Sequence, residues 1–396
     1  MVKNDTNELL TRGIANIYPS KEFLEAKILK GEKLTIYLGI DPTGPTLHFG
    51  HGIPLKKLGD FQKAGHKIIL LMGDFTAMIG DPTDKSAARK QLTHKEVMNN
   101  LKAYKKQASK LISFSGKNPA QFKFNSTWLA KMKFEEVLSL ASNMTVSQML
   151  ERDMFQGRIK EGKQILIHEF MYPLMQAYDS VAMNVDGEIG GNDQTFNMLA
   201  GRTLMKSLKN KEKFVLTTKL LEDNTGKKMG KTEGNMVALS DSAEEMFGKI
   251  MSWNDNLIIP AFELCTSVPM LDVESIATDM LRGALNPRDA KMRLAREIIA
   301  LYHSVEKADK AQENFISTFQ KKEIPENIQT TKAEINEQLV DVFLRANIVS
   351  SKTEFRRLVD EHAITNLSTE VGIADSTIKA KLGVYRIGKK RFIEIK

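Results

Sequence analysis

Between residues 33 and 72 the chain passes through a β-prone segment, KLTIYLG, and a loop of Pro, Thr and Gly, DPTGPT. A helical pattern from about Leu47 to Gly65 follows, and then the continuous apolar run of HKIILLMGDF. An apolar run without alternation suits a strand covered on both faces, which is the situation of a parallel strand between two helical layers. The order strand, helix, strand therefore predicts an α/β fold with a doubly wound parallel sheet over the first 225 residues. Ligands of such a sheet bind beyond the carboxyl ends of its strands. The segment DSVAMNV is a further strand candidate, ahead of a turn-rich DGEIGGND.

The length of 396 residues allows two or three domains. No stretch approaches the ~18 uninterrupted apolar residues of a membrane span, and MVKNDTNELLTRG lacks the apolar region of a secretory signal. One cysteine, Cys265, excludes an intrachain disulfide and a Cys-cluster metal site. A cytoplasmic protein is expected. The net charge of +8 allows a polyanionic partner, but its distribution says more. Residues 85–133 hold twelve basic residues and one acid, Glu96. A solvated helix face is the ordinary explanation of such a run, although solvated helices usually mix Glu with Lys.

Residues 226–319 are expected to form an α-helical domain. Asp241 and Glu244 have capping-box spacing, Asn286-Pro287 sets a cap before a first-turn proline, and Met292, Ala295, Ile299 and Tyr302 share an apolar face. A polar linker over 320–336 precedes a small α+β unit, 337–396. Its helices are predicted in EQLVDVFLRA and SKTEFRRLVDEH, and strands in VYRIGKKRFIEIK.

Three constellations carry chemistry. His48-Phe49-Gly50-His51 places two imidazoles at i and i+3 on a helix start, where backbone N–H groups and the helix dipole attract phosphate. Metal ligation is the alternative, but no carboxylate or Cys stands at ligand spacing nearby. Gly226-Lys227-Lys228-Met229-Gly230-Lys231-Thr232 can fold two lysines over a triphosphate, or be a solvated basic loop; it lacks Walker A spacing. Tyr172, Gln176 and Asp179 fall at i, i+4 and i+7, on one helix face. Pro173 suggests that this helix begins close by. A phenol, an amide and a carboxylate on an otherwise apolar segment are costly to bury without partners, so they lie at a surface or bind a ligand.

An HxGH-type tetrapeptide followed by a KMxKS/T-type loop resembles the paired signature of class I aminoacyl-tRNA synthetases. With Tyr172, Gln176, Asp179 and Gly190-Gly191-Asn192-Asp193-Gln194, the chain resembles the bacterial tyrosyl-tRNA synthetases over nearly its whole length. The resemblance implies a Rossmann-like catalytic domain over 1–225 with a basic helical insertion at 85–133, then the helical domain and an RNA-binding tail. It implies that Tyr37 and Asp179 bond the substrate phenol, that Asp81, Tyr172 and Gln176 hold its ammonium group, and that Gln194 lies by its carboxylate. Asp193 and the Gly191 backbone would meet the ribose, with Gly39 and Asp41 also at the ATP. Thr43, His48, His51, Lys85, Arg89, Lys228, Lys231 and Thr232 would face the phosphates. Gly230 and Thr232 stand where many relatives have serines, Asn192 where a small hydroxyl residue is commoner, and Leu38 where some have Cys.

On this resemblance L-tyrosine and ATP, with Mg2+ accompanying the nucleotide, give tyrosyl-adenylate, and tRNA(Tyr) accepts the tyrosyl group. Lys102, Lys105, Lys106 and Lys110 in the basic segment, and Arg356, Arg357, Lys389, Lys390 and Arg391 in the tail, are the expected tRNA contacts. Glu361-His362-Ala363 departs from the glycine turn common in such tails. A homodimer formed through the first domain is implied, with no membrane association. The alternatives are a tryptophanyl-tRNA synthetase, a non-catalytic RNA-binding protein on the same scaffold, and a simple nucleotidyltransferase.

Overall fold

Six strands form the first sheet in the computed structural model: β1 (Ile14–Tyr18), β2 (Thr35–Ile40), β3 (Lys67–Met72), β4 (Gln121–Phe124), β5 (Gly187–Gly191) and β6 (Phe214–Thr218). The structure describes residues 3–81, 92–222, 236–319, 328–334, 336–369, 371–388 and 391–396. Lys85, Arg89, Lys228, Lys231, Thr232, Lys389 and Lys390 lie outside the described residues. The chain divides into two compact units, 1–308 and 309–396.

The first sheet has the order β1-β6-β5-β2-β3-β4, with β2 to β6 parallel and β1 antiparallel on β6. Successive strands leave β2 in one direction to β3 and β4, and the chain returns to its other side with β5 and β6. The direction of winding thus reverses between β2 and β5, and a crevice opens at their carboxyl ends. Ile36, Leu38 and Ile68–Met72 are buried, as a strand between helical layers requires.

Three readings of the sequence shift. DSVAMNV is not a strand. Its first five residues, Asp179–Met183, end a helix, Ile167–Met183, which begins ahead of Pro173 and carries that proline inside it, and Asn184 caps that helix. The strand is the neighbouring GEIGG, read as a turn because of its glycines. Gly187 is required there, since a Cβ would sit 2.1 Å from the Phe214 ring on β6. The basic segment is not wholly helical either: after helices His94–Leu101 and Tyr104–Ala108 it supplies β4, in parallel register with β3. Its signal was the alternation of Phe122 and Phe124 with Gln121 and Lys123. The cap assigned to Asp241 belongs to Ser242, whose hydroxyl accepts from Glu245 N at 3.2 Å while Asp241 takes Lys249 and the Ala238 N–H.

Within the same unit, helix Pro287–Tyr302 is capped as expected, Asn286 accepting from Arg288 N at 2.9 Å. Its buried Tyr302 stacks on Phe49, with ring centroids 5.4 Å apart. Helix Phe49–Lys63 is thereby seated on both the sheet and the helical region.

The second unit has its own sheet, β7 (Gln329–Thr331), β8 (Ile364–Asn366), β9 (Val371–Gly372), β10 (Gly383–Ile387) and β11 (Arg391–Ile395), in the order β7-β11-β10-β8-β9. β7, which lies in the segment expected to be linker, pairs in parallel with β11. Helices Leu339–Arg345 and Lys352–Asp360 cover a core of Leu339, Phe343, Phe355, Ile364, Tyr385 and Ile393. His362 takes the glycine-like position in the turn, with φ +51°, and its N–H bonds Val359 O at 2.9 Å.

Candidate functional site

The crevice at the strand ends collects side chains from four strands and one helix. Asp41 follows β2. Its Oδ1 accepts from Thr76 Oγ1 at 2.7 Å and its Oδ2 from Tyr172 Oη at 2.9 Å. Gly73, just after β3, makes room, because a Cβ there would lie 1.8 Å from Asp41 Oδ1. Removal from water pushes the Asp41 carboxyl up to about 7, against the pull of the Thr76 and Tyr172 hydrogen bonds. Asp41 therefore stands beside Tyr172, a predicted ammonium ligand, although the resemblance assigned it to ATP.

Asp179 is 3% exposed. Its Oδ1 accepts from Trp128 Nε1 at 2.7 Å and its Oδ2 from Asn125 Nδ2 at 3.3 Å, both donors following β4. Burial holds its carboxyl well above the usual carboxylate range, while those two donors favour the ionised form. Tyr37, buried in β2, has its Oη 3.0 Å from Ser180 Oγ. Gln176 Nε2 donates to Glu188 Oε1 on β5 at 3.1 Å. The three side chains expected on one helix face thus all engage groups in or just beyond the strands.

Gln194 and Asp193 lie just beyond Gly191, the last residue of β5. Gln194 Nε2 donates to Asp81 Oδ2 at 2.8 Å. Asp81 also faces the Arg152 guanidinium at 3.7 Å, and Arg152 lies over the rings of Phe155 and Phe196. Asn192, the departure from the usual hydroxyl residue, accepts from Asn16 Nδ2 and Thr217 Oγ1, both at 3.2 Å, tying the loop to β1 and β6.

His48 caps helix Phe49–Lys63, its Nδ1 accepting from Gly50 N at 3.1 Å, and His51 Nδ1 accepts from His48 N at 3.3 Å. A neutral imidazole that accepts at Nδ1 carries its proton at Nε2. Phe49 N bonds Val237 O at 3.2 Å and Leu239 N bonds Leu47 O at 2.8 Å. The residues following the lysine loop are thereby stitched to the histidine tetrapeptide.

The loop from β2 to that tetrapeptide, which contains an exposed Thr43, is clamped by the basic segment. Asn100 Nδ2 donates to Pro42 O at 2.8 Å, Tyr104 Oη to Gly44 O at 2.6 Å and Gln107 Nε2 to Pro45 O at 3.2 Å, while Gln107 Oε1 accepts from Leu47 N at 2.7 Å. These clamp residues were not anticipated, although 100, 104 and 107 have the spacing of one helix face. Lys102, Lys105 and Lys106 are exposed, whereas Lys110 is turned inward and donates to Leu239 O at 2.9 Å. In the second unit Arg356 and Arg357 are exposed. Arg391 is committed to Ile348 O at 2.6 Å and Glu354 Oε1 at 2.8 Å.

Also unanticipated is a buried ion pair of Lys213, which directly precedes β6, with Glu188. Lys213 Nζ also donates to Ser180 Oγ at 2.8 Å. In the sequence Lys213 closes the charged run Lys209-Asn210-Lys211-Glu212, so nothing local tells it from a surface residue.

The family of tRNA synthetases class I (W and Y) matches residues 29–320. The chain is 44% identical to a tyrosine–tRNA ligase of Carboxydothermus hydrogenoformans, over 98% of this chain and 97% of that one. It is 41% identical to a tyrosine–tRNA ligase of Thermotoga maritima, over 100% and 98%. A C-terminally truncated mitochondrial tyrosyl-tRNA synthetase from Aspergillus nidulans shares the fold with a TM-score of 0.66 at 23% identity, covering 80% of this chain and 94% of that one. The Archaeoglobus fulgidus tyrosyl-tRNA synthetase complexed with L-tyrosine aligns with a TM-score of 0.61 at 24% identity, over 78% and 99%.

Proposed function

The chain belongs to the class I tRNA synthetases (W and Y), and from that premise we propose that the crevice between β2 and β5 is the tyrosine and ATP site of a tyrosine–tRNA ligase. The enzyme activates L-tyrosine with ATP to tyrosyl-adenylate and pyrophosphate, then transfers the tyrosyl group to the 3′ end of tRNA(Tyr). The observation that carries the assignment is Asp179, a buried carboxylate with two N–H donors beside the Tyr37 hydroxyl. A substrate phenol supplies a further donor to that carboxylate, and this favours its ionised form. A phenylalanine ring supplies none. At the other end of the pocket, the Asp81 carboxylate, with Tyr172 and Gln176, receives the ammonium group, and Gln194 the carboxylate side.

Because the attacking tyrosine carboxylate is already an anion, no general base is needed. Catalysis rests on holding it in line with the α-phosphate and on stabilising charge on the departing pyrophosphate. The Nε2–H groups of His48 and His51 and the loop carrying Thr43 serve the phosphates, with Lys85, Arg89, Lys228, Lys231 and Thr232 completing the cradle. Asp193 and the Gly191 backbone take the ribose. Magnesium enters with the nucleotide as part of the substrate. The exposed Lys102, Lys105, Lys106, Arg356 and Arg357 contact tRNA, while Lys110 and Arg391 serve the fold. We place the enzyme in the cytoplasm, and among the described residues no helix is long and apolar enough to cross a membrane.

We also propose a homodimer through the first unit. Phe134 is 76% and Ile167 81% exposed, with Leu138, Val146, Ile159 and Leu166 also exposed on the same run of helices. The family resemblance implies a second copy bound through the first unit, and these exposed apolar side chains are where we place it. Sedimentation of an Ile167→Asp variant should shift toward monomer, and an unchanged assembly would refute this face. The central test is tyrosine-dependent ATP–pyrophosphate exchange run beside the same assay with tryptophan. Exchange with tyrosine alone is expected, and its absence in folded protein overturns the assignment.

A further inference from the structure

Lys213 is fully buried, and so is Glu188, with which it pairs. A buried ammonium persists only when paired and hydrogen-bonded. The pairing here reaches further than two residues. Lys213 donates to Ser180 Oγ at 2.8 Å, Ser180 Oγ lies 3.0 Å from Tyr37 Oη, and the second oxygen of Glu188 takes the Gln176 amide at 3.1 Å. Tyr37 and Gln176, assigned to the phenol and ammonium ends of the substrate, are therefore the two ends of one chain of contacts. Ser180, Lys213 and Glu188 are its interior members, none of which has to touch substrate.

The packing leaves this chain little freedom. A Cβ on Gly201 would lie 2.6 Å from Lys213 Nζ and 2.9 Å from Ser180 Oγ, so helix Thr195–Lys209 carries a glycine where the ammonium approaches it. Lys213 Nζ also stands 5.7 Å from the centre of the Tyr37 ring. An ammonium has donors and no acceptor, so Ser180 Oγ must accept from it, and a bond from a charged donor is stronger than one between neutral groups.

We propose that Lys213 is a positioning residue for tyrosine selection: held by Glu188, it fixes Ser180 and hence the Tyr37 hydroxyl against which the substrate hydroxyl is read. The inference rests on the tyrosine reading of the crevice. A general structural role would alter tyrosine and phenylalanine activation alike. A positioning role at the phenol end alters only the substrate that carries the hydroxyl.

The experiment measures pyrophosphate exchange for tyrosine and phenylalanine in the full-length wild type, Ser180→Ala and Lys213→Met. Ser180→Ala keeps the Lys213–Glu188 ion pair and removes the hydroxyl that joins Lys213 to Tyr37. Its KM for tyrosine should rise about tenfold, the loss of roughly one hydrogen bond. Its kcat, its KM for ATP and its kcat/KM for phenylalanine should stay within about twofold, so that discrimination falls about tenfold. Lys213→Met should raise the KM for tyrosine further and, because it also leaves unpaired the Glu188 that holds Gln176 at the ammonium end, weaken both amino acids as well. Equal changes for both amino acids, or none, in Ser180→Ala overturn the inference, whether or not Lys213→Met folds. Wild type lacking tyrosine-dependent exchange overturns the tyrosine reading and this inference with it.

Discussion

Two carboxylates of the crevice, Asp41 and Asp179, and one of the C-terminal unit, Glu354, are driven in opposite directions. Asp41 and Asp179 are pushed up because they are taken out of water with too few donors to offset it. Glu354, half-buried, is drawn down to about 2, because the Ser350 N–H and hydroxyl and the Arg391 guanidinium all donate to it. In the second unit an acid stabilises the fold. In the crevice acids are kept where the fold alone would not place them, which is the condition for a group whose missing donor is a ligand.

The contrast can be broken by substitution. Asp179→Ala should lower tyrosine-dependent exchange by about 100-fold, the scale of a hydrogen bond to a charged group. Unchanged exchange and selectivity would mean that this carboxylate has no ligand. Truncation after Phe319, which removes β7 with the rest of its sheet, should lower tRNA charging by about tenfold or more and leave exchange intact. Charging that survives would deny the second unit a part in binding tRNA. Replacing Lys102, Lys105 and Lys106 by Gln should weaken tRNA binding and flatten the dependence of log K on log salt by about 2. Adenylate formation should persist, since Asn100, Tyr104 and Gln107 on the same helices still clamp the loop before His48.

The contrast also extends to stability against pH. The folded value of about 7 for Asp41 lies above its ordinary 3.8, so the folded form binds the proton more tightly and stability falls as pH rises between those values. Asp41→Asn should remove that fall. For Glu354 the folded value of about 2 lies below the ordinary 4.5, so its contribution is present above 4.5 and lost as pH falls toward 2. Glu354→Gln should remove that loss. Urea unfolding of both variants from pH 3 to 8 checks the two signs, and slopes of the same sign would erase the contrast.

Legibility in the sequence followed the range of the forces involved. The buried strand Lys67–Met72, the cap at Asn286, and the shared face of Tyr172, Gln176 and Asp179 are local patterns, and each is present in the fold. DSVAMNV misled because its β-branched and apolar residues suit either a strand or a buried helix. GEIGG was passed over because glycine disfavours strands, and its need for glycine comes from the Phe214 ring on a neighbouring strand. β7 was read as linker because three residues, QTT, become a strand only against β11.

By itself the sequence determined the α/β class, the helix face shared by Tyr172, Gln176 and Asp179, and the family to which the chain belongs. All of these depend on spacing along one chain. Tertiary structure alone decided that Asp41 stands with Tyr172, that Lys110 and Arg391 turn inward, and that Asn100, Tyr104 and Gln107 clamp the loop before His48. It alone brought Lys213 beneath the pocket to Glu188 and Ser180. Burial and charge pairing act between residues far apart in sequence, so a lysine has a defined role only once the fold has chosen its neighbours.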